Sequence, residues 1–164
     1  MIVCSDFMHA RLRCVVILTA AGHYCGYVGV GPKHPLFCWP YEMIEIETEI
    51  DVHGGITYSG GSHHGMSKKE IEYIETKIHE CETERDDNNQ LYLMYFAGVY
   101  QRRLAHIKDN MGKPTNYPVP TNDSSEELWW FGFDCAHYDD TPEECDKNFT
   151  EYECIKLADQ LASL

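Results

Sequence analysis

The chain has 164 residues, of which 43% are hydrophobic and 12% aromatic, and this composition excludes a globally disordered chain. Asp and Glu total 27 against 13 Lys and Arg, so the formal net charge is −14. Duplex DNA and other polyanions are therefore poor partners for the surface as a whole. Solubility alone accounts for such acidity, while a small anion could still bind to local backbone N–H groups.

The cysteines and the N-terminus indicate a cellular location. Eight cysteines are scattered along the chain without a CxxC pair or zinc-ribbon spacing. The first residues lack the basic start and apolar segment of a signal peptide, and no run approaches the roughly 18 apolar residues that span a bilayer. We therefore expect a cytoplasmic protein with no membrane partner, whose reduced thiols serve mainly as small apolar fillers.

In chain order, the first predicted element is a β-hairpin. Residues 15–19 are rich in β-branched side chains, and a turn at Gly22 separates them from a second such run at 24–30. Residues 44–58 then alternate apolar and polar side chains with period two, which predicts a half-buried strand or two collinear strands. The Gly- and Ser-rich residues 59–65 follow as a predicted loop.

Two helices are predicted next, as a hairpin inserted at about residues 67–112. Ser67 and Glu70 have the spacing of a capping box, which predicts the start of the first helix. A stripe of apolar residues at helical spacing predicts the second helix, from about 90 to 110. Residues 113–127 are polar and rich in proline, and they are predicted to form a loop.

The last predicted elements are a strand and a helix. Residues 128–134, LWWFGFD, are rich in aromatic side chains and predict a buried strand. Asn148, with Glu151 three residues later, is predicted to cap the C-terminal helix. The pattern as a whole predicts an α+β fold: a mainly antiparallel sheet with an inserted helical hairpin and a C-terminal helix, in a single domain of residues 1–164.

Candidate binding residues come from the polar faces of two predicted strands. Alternation places one face of 51–58 and one face of 128–134 together if the two strands are neighbours. These two faces comprise Asp51, His53, Gly55 and Thr57 on the first strand, and Trp130, Gly132 and Asp134 on the second. His137 lies just beyond the end of the second strand. Such a neighbourhood would form a concave patch around two glycines.

Each residue type in this patch suits a nucleotide-like ligand. A strand glycine lets a ligand approach the bare backbone, and a Trp face stacks on a planar ring. A carboxylate such as Asp134 accepts hydrogen bonds from a ribose diol or an exocyclic amine, while His53 and Thr57 can donate to phosphate oxygens. Three structural interpretations of these residues also remain open. The paired glycines could form a bulge, the two tryptophans could belong to the core, and Asp134 could cap the loop that follows it.

Two kinds of catalytic site are alternatives. Asp51, His53, Asp134 and His137 are ligand types for Zn, Mn or Fe, but no HExxH or HxH motif accompanies them. Cys135 is close to His137 in sequence, but the chain contains no GxSxG elbow. The sequence therefore predicts no metal, no cofactor and no assigned catalytic residue.

Three motifs carry a resemblance to a known family. CGYVGVGPKHPLF, DVHGGITYSG and WWFGFDCAHYDD occur in that order, followed by a C-terminal helix. In this the chain resembles a family of small proteins from bacteria and their phages, with the patterns GYVGV-x-x-x-HP, D-x-HGG-[LI]-TY and WW-x-GFDCAH-x-D. That family has no established activity, so the resemblance implies no reaction. The chain departs from the pattern between residues 62 and 125, where shorter relatives pass through a loop.

The resemblance selects positions within these motifs as candidate ligand-binding residues. Those positions are Tyr27, His34, His53, Gly54, Gly55, Thr57, Tyr58, Trp130, Gly132, Asp134 and His137. A phage origin would place the protein in a host cytoplasm and would make an immune signalling nucleotide a reasonable ligand.

Three functions follow from this sequence as hypotheses. The first is a binding protein, or sponge, that sequesters a cyclic or NAD-derived signalling nucleotide. The second is a hydrolase of a nucleotide-like substrate, with His53 as general base and with Asp134 and His137 as orienting groups or metal ligands. The third is an inhibitor that binds a protein partner. The inserted helical hairpin could join protomers into a homo-oligomer, and no nucleic-acid polymer is expected as a partner.

Overall fold

The computed structural model describes residues 1–61, 66–110 and 127–164. The chain divides into two compact units: Met1–Ser62 together with Tyr117–Leu164, and His63–Asn116. The first unit contains an antiparallel sheet and two helices, and the second contains two helices. The predicted α+β class is confirmed, including the antiparallel sheet, the inserted helical hairpin and the C-terminal helix.

The sheet of the first unit has five strands in the order β1-β2-β3-β5-β4, and every neighbouring pair is antiparallel. The strands are β1 (Ile2–His9), β2 (Leu12–Leu18), β3 (Tyr24–Val30), β4 (Tyr58–Gly61) and β5 (Trp129–Asp134). The predicted hairpin of β2 and β3 is confirmed, and so is the buried strand β5. Strand β5 lies between β3 and β4, so its aromatic side chains occupy the interior of the sheet.

Strand β1 was not predicted, and its turn explains why. Ala10 and Arg11 join β1 to β2 with φ angles of 47° and 67°. A two-residue hairpin turn of this kind normally uses Asn or Gly, because other residues are strained at positive φ. The sequence Ala-Arg therefore carries no turn signal, and the half-exposed edge strand before it shows little apolar alternation.

The strand predicted over 44–58 is wrong. Residues Tyr41–Glu47 form a short helix, α1, which begins after Pro40 and buries Met43 and Ile44. Residues 48–57 are irregular, and the strand β4 begins only at Tyr58. The alternation is real in the sequence, but the chain reverses at a glycine turn, so Val52 and Ile56 are buried without a continuous strand. The loop predicted over 59–65 is also wrong at 59–61, which belong to β4.

The predicted helical hairpin is confirmed as α2 (Met66–Thr83) and α3 (Gln90–Asn110), which pack against each other. The buried Glu70 carboxylate accepts a hydrogen bond from Arg103 Nε at 2.9 Å and so links the two helices. The predicted capping box depends on the Ser67 side chain, which lies outside the described part of the structure. The loop predicted over 113–127 also lies outside the described residues, except for its last residue.

Helix α4 (Lys147–Ala162) packs on one face of the sheet. Its N-cap is Asp146, whose side chain accepts a hydrogen bond from the Phe149 backbone N–H at 2.8 Å, so the predicted cap at Asn148 is wrong by two residues. Gly26 makes the close packing possible, because a Cβ there would lie 2.4 Å from the Phe133 ring. In the described part of the chain, no helix is long and apolar enough to cross a bilayer.

Candidate functional site

Strand β5 directs alternate side chains to the two faces of the sheet, and its three predicted site residues, Trp130, Gly132 and Asp134, share one face. Phe133 lies on the face that α4 covers, and alternation places Trp129 and Phe131 there as well. Trp130 lies on the opposite face, in a buried cluster with side chains from β2 and β3. We call this second surface the aromatic face and define it by Tyr27, Tyr58, Trp130 and Asp134.

Gly132 lies at the centre of the aromatic face, between two tyrosines. In the sheet, Gly132 is paired with Tyr27 on one side and with Tyr58 on the other. The two phenol rings meet edge to face, with centroids 5.7 Å apart and planes at 82°. A Cβ on Gly132 would lie 2.5 Å from the Tyr27 ring, so the space that this glycine leaves is filled by a tyrosine of the protein itself.

Trp130 lies flat across its neighbouring strand. A Cβ on Gly29 would approach the indole ring to 3.0 Å, and the Arg13 guanidinium lies 6.0 Å from the ring centroid. Asp6 holds Arg13 in place by accepting hydrogen bonds at 2.9 and 2.6 Å. The Trp130 side chain is therefore packed on one side by backbone and by a fixed cation.

The indole nitrogen of Trp130 has no hydrogen-bond partner among the described residues, although the residue is only 1% exposed. A buried donor without an acceptor costs about 1–3 kcal/mol relative to a paired one. The adjacent Trp129, on the other face, donates its Nε1–H to the Trp39 carbonyl at 3.0 Å. Of these two adjacent tryptophans, Trp130 is the one whose indole N–H lacks an acceptor among the described residues.

The exposed end of the aromatic face is formed by Thr57 and Asp134, and we call these two residues the polar exit. The Thr57 hydroxyl donates to Asp134 Oδ2 at 2.9 Å, and the Thr57 backbone N–H donates to the Gly132 carbonyl at 2.9 Å. The segment before β4 therefore runs beside β5, as the predicted patch requires, although this segment is not a strand. Burial raises the pKa of the Cys25 thiol in the same cluster to about 11, with Asp134 adding to the shift.

The paired glycines of DVHGG form a tight turn. Gly54 and Gly55 have φ angles of 68° and 81°, and the Gly55 N–H donates to the Val52 carbonyl at 2.9 Å. The His137 imidazole sits against Gly54 so closely that a Cβ there would lie 1.7 Å from its Nε2. Both the backbone angle and the contact with His137 therefore require glycine at 54.

Helix α4 holds this turn in place through its polar side chains. The Gln160 amide bonds both backbone groups of Asp51: its Oε1 accepts from the N–H at 2.7 Å, and its Nε2 donates to the carbonyl at 2.8 Å. The buried Glu153 carboxylate accepts from the His53 N–H at 2.7 Å. The Asp51 side chain is 82% exposed and pairs with Lys156 at 3.0 Å, so it does not join His53 as the metal-site alternative would require.

Beyond the end of β5, the His53 ring lies edge to face with His137, which the sequence analysis selected, with centroids 5.4 Å apart. His53 also meets residues that the sequence analysis did not select. Its Nε2 lies 2.9 Å from Asp140 Oδ1 and 3.8 Å from Cys145 Sγ. The Cys145 thiol also contacts Asp140 Oδ1, at 3.4 Å. The ligand atoms of His53, Cys135 and Cys145 all lie within 4.8 Å of one another. We call His53, Cys135, Asp140 and Cys145 the His–Cys–Asp cluster.

The cluster perturbs the pKa values of its acids. Burial, together with the neighbouring Asp140 carboxylate, raises the pKa of the Cys145 thiol to about 12, and burial also raises the pKa of Cys135. Burial opposes ionisation of Asp140 as well. The hydrogen bonds from the His137 backbone N–H, Cys145 and His53 nevertheless lower the pKa of Asp140. The Asp140 carboxyl is therefore ionised at neutral pH, and the two thiols are neutral donors.

His34 lies in neither group of residues. Its Nε2 is 2.8 Å from the Leu161 carbonyl, and its Nδ1 accepts a hydrogen bond from the Leu36 N–H at 3.1 Å. Nε2 thus contacts the backbone at the end of α4, and Nδ1 contacts the backbone of His34's own segment, so both ring nitrogens have backbone partners. A groove of about 570 Å³ also borders α4, lined by residues 46–50 with Gln160, Ser163 and Leu164, and it contains none of the predicted site residues.

Comparison of the chain with protein-family models, with curated proteins and with solved structures found no match. The description of this protein therefore rests on its own fold and site. It is an α+β protein with a buried aromatic sheet face, a polar exit from that face, and a His–Cys–Asp cluster beyond the end of β5.

Proposed function

We propose that the protein binds and sequesters a small nucleotide-type ligand on the aromatic face. The observation that carries this proposal is the unpaired Trp130 N–H, a buried donor beside two tyrosines and next to a polar exit. A ring nitrogen, a base carbonyl or a phosphate oxygen would each supply the missing acceptor. Ligand sites commonly combine such an apolar aromatic lining with a few polar groups.

The polar exit suits the remaining parts of a nucleotide. Thr57 is exposed and Asp134 is partly exposed, so both are accessible to a ligand. The Asp134 carboxylate can accept hydrogen bonds from ribose hydroxyls or from an exocyclic amine. Because the Thr57 hydroxyl already donates to Asp134, a ligand hydroxyl can replace it without leaving the carboxylate unpaired.

Sequestration is proposed in preference to turnover because the buried thiol and phenol next to Trp130, those of Cys25 and Tyr27, are neutral and poorly nucleophilic. Burial raises the pKa of Tyr27, and it raises the pKa of Cys25 to about 11, so both groups stay protonated at neutral pH. The motif resemblance motivates a finer version of the proposal, in which the ligand is a cyclic or NAD-derived immune signalling nucleotide and the protein is a phage-encoded sponge in the host cytoplasm.

The test is mass spectrometry of the protein incubated with a panel of cyclic and NAD-derived nucleotides, recorded natively and again after heat denaturation. A ligand that is bound natively and released unchanged supports the proposal. Trp130→Phe should weaken binding at least tenfold because it removes the donor, whereas Trp129→Phe should leave binding intact. Binding that survives Trp130→Phe unchanged would rule out the aromatic face as the site.

A hydrolase is the second candidate, and one observation favours it. His53 Nε2 lies 2.9 Å from Asp140 Oδ1, an arrangement in which a carboxylate orients an imidazole for general-base catalysis. In this version the same panel would release a chemically altered nucleotide, and His53→Ala would abolish the product. Release of only unchanged ligand counts against it.

We also propose that α3 mediates self-association. Four large apolar side chains near its N-terminal end are exposed: Leu91 at 83%, Tyr92 at 50%, Met94 at 48% and Tyr95 at 50%. Contiguous exposed apolar side chains of this kind often mark an interface. Light scattering after size exclusion should give a mass above 18.9 kDa, and Leu91→Glu should lower it to that of a monomer.

A further inference from the structure

The segment between Cys135 and Cys145 is held in place without an apolar anchor. All residues from 136 to 144 are described, and every one is exposed except Asp140, whose side chain is 10% exposed. Tyr138, the largest side chain of the segment, is fully exposed. A loop normally needs buried side chains to offset the entropy lost on ordering. Here the inward-facing groups that are largely buried are Cys135, Asp140 and Cys145, while the exposed His137 ring contacts Gly54.

These three inward-facing groups are all metal-ligand types, and they converge on a fourth. His53 Nε2 lies 2.9 Å from Asp140 Oδ1 and 3.8 Å from Cys145 Sγ. Cys135 Sγ lies within 4.8 Å of the ligand atoms of His53 and Cys145, and Asp140 belongs to a second set with the same spacing, formed with His53 and His137. Ligand atoms around a tetrahedral metal, with bonds of about 2.0–2.3 Å, are separated by distances of this order.

From this convergence we infer a structural zinc site, in which His53 Nε2, Asp140 Oδ1 and the sulfurs of Cys135 and Cys145 bind one Zn²⁺. Zinc accepts nitrogen, sulfur and oxygen ligands in four-coordinate geometry, whereas Ca²⁺ and Mg²⁺ prefer oxygen alone. The ion would fasten the 136–144 loop to the turn that contains His53. The inference is independent of ligand binding on the aromatic face.

The neighbours of the cluster orient its ligands as those of a metal site do. The second Asp140 oxygen accepts the His137 backbone N–H at 2.8 Å, and the Thr150 hydroxyl lies 3.5 Å from Cys135 Sγ. The His53 ring packs edge to face against Phe149, with centroids 5.1 Å apart. Outer contacts of this kind fix ligand geometry and contribute to metal affinity.

Four protein ligands would leave no open coordination position, which is the pattern of structural rather than catalytic zinc. His53 would then be committed to the ion through the nitrogen that faces Asp140. Zinc binding at this cluster would therefore count against His53 as a general base. The sequence predicted no metal because Cys135, Asp140 and Cys145 follow no established motif spacing.

The first test measures zinc directly. Full-length protein is produced with zinc in the medium, dialysed under reducing conditions and analysed by inductively coupled plasma mass spectrometry. The expected content is one zinc per chain, falling at least tenfold in Cys145→Ser and in His53→Gln. Cys38→Ser is the matched control, because Cys38 is also buried but lies outside the cluster, and it should retain the metal.

A second measurement needs no variant. Reduced, metal-free wild-type protein is titrated with Co²⁺, and absorbance is recorded for the thiolate-to-cobalt charge-transfer band and for tetrahedral ligand-field bands. Both bands should saturate at one equivalent, and Zn²⁺ should abolish them. The absence of these bands would overturn the inference, and so would full zinc retention in both Cys145→Ser and His53→Gln.

Discussion

Trp129 donates its indole N–H to the Trp39 carbonyl oxygen at 3.0 Å, which joins strand β5 to the segment before α1. Trp130 follows it in the chain and is equally buried, yet its indole nitrogen has no partner among the described residues. The two adjacent tryptophans thus differ in one hydrogen bond while sharing burial, residue type and strand. Under the proposed function, this difference assigns a structural role to Trp129 and a binding role to Trp130.

The two tryptophans can be compared by identical substitutions. Trp129→Phe and Trp130→Phe remove the same volume, but only the first leaves the Trp39 carbonyl without its donor. The loss in the free energy of unfolding should therefore be larger for Trp129→Phe, by about 1–3 kcal/mol. Urea unfolding of the ligand-free protein measures both losses. Equal losses would show that the Trp130 nitrogen is also paired in solution.

Gly54 and Gly22 form a second matched pair. Both have positive φ, at 68° and 90°, so alanine should cost about 1–2 kcal/mol of backbone strain at either position. A Cβ at Gly22 would meet nothing within 4 Å, whereas a Cβ at Gly54 would overlap the His137 ring. Gly54→Ala should therefore be the more destabilising substitution in thermal and urea unfolding.

His137→Ala is the control for this contact. In that background, Gly54→Ala should cost about as much as Gly22→Ala does in the wild type, because only the backbone term remains. If Gly54→Ala is equally costly with and without the imidazole, the contact between Gly54 and His137 does not form.

Glu151 should make stability depend on acid pH. Hydrogen bonds from Lys147 and from the Ser5 hydroxyl lower the pKa of this carboxyl below its ordinary value of 4.5. A lowered folded-state pKa contributes stability that is present above the unfolded pKa and is lost as pH falls through the folded one. The stability difference between wild type and Glu151→Gln should therefore shrink below about pH 4.5.

The measurement is urea unfolding between pH 3 and 7. Glu143→Gln serves as the control, because Glu143 is an exposed carboxylate in the loop before α4. A stability difference for Glu151→Gln that is constant across the range would contradict the lowered pKa of Glu151.

Cys4 should be the cysteine that reacts first in the native protein. It is the partly exposed thiol, and the other seven are buried. Burial also raises the pKa of Cys14 to about 12, and that of Cys154 well above the ordinary value, so their reactive thiolates are scarce. Brief iodoacetamide treatment at pH 8 followed by peptide mass spectrometry should find the label at Cys4, and Cys4→Ser should abolish the fast phase. Rapid labelling of Cys14 would contradict this burial.

The comparison of sequence and structure is most informative at residues 44–58. Their period-two alternation is regular, but Pro40 starts a helix at Tyr41 and the paired glycines reverse the chain at 54–55. Contacts with α4, including those from Gln160, stabilise this turn, and they join residues more than a hundred positions apart. A local pattern cannot contain that information.

What the sequence determined by itself is the set of elements whose stability is local. The β-branched and aromatic runs predicted β2, β3 and β5, and the apolar stripes predicted α2, α3 and α4, because periodicity directly reports which side chains can be buried together. What only the tertiary structure decided is the neighbourhood of each polar group. His53 meets Cys145 and Asp140, and Gly54 meets His137, because the end of β5 and the turn before β4 are brought together by packing on α4. Contacts of such long sequence separation depend on the whole fold, and no spacing in the chain specifies them.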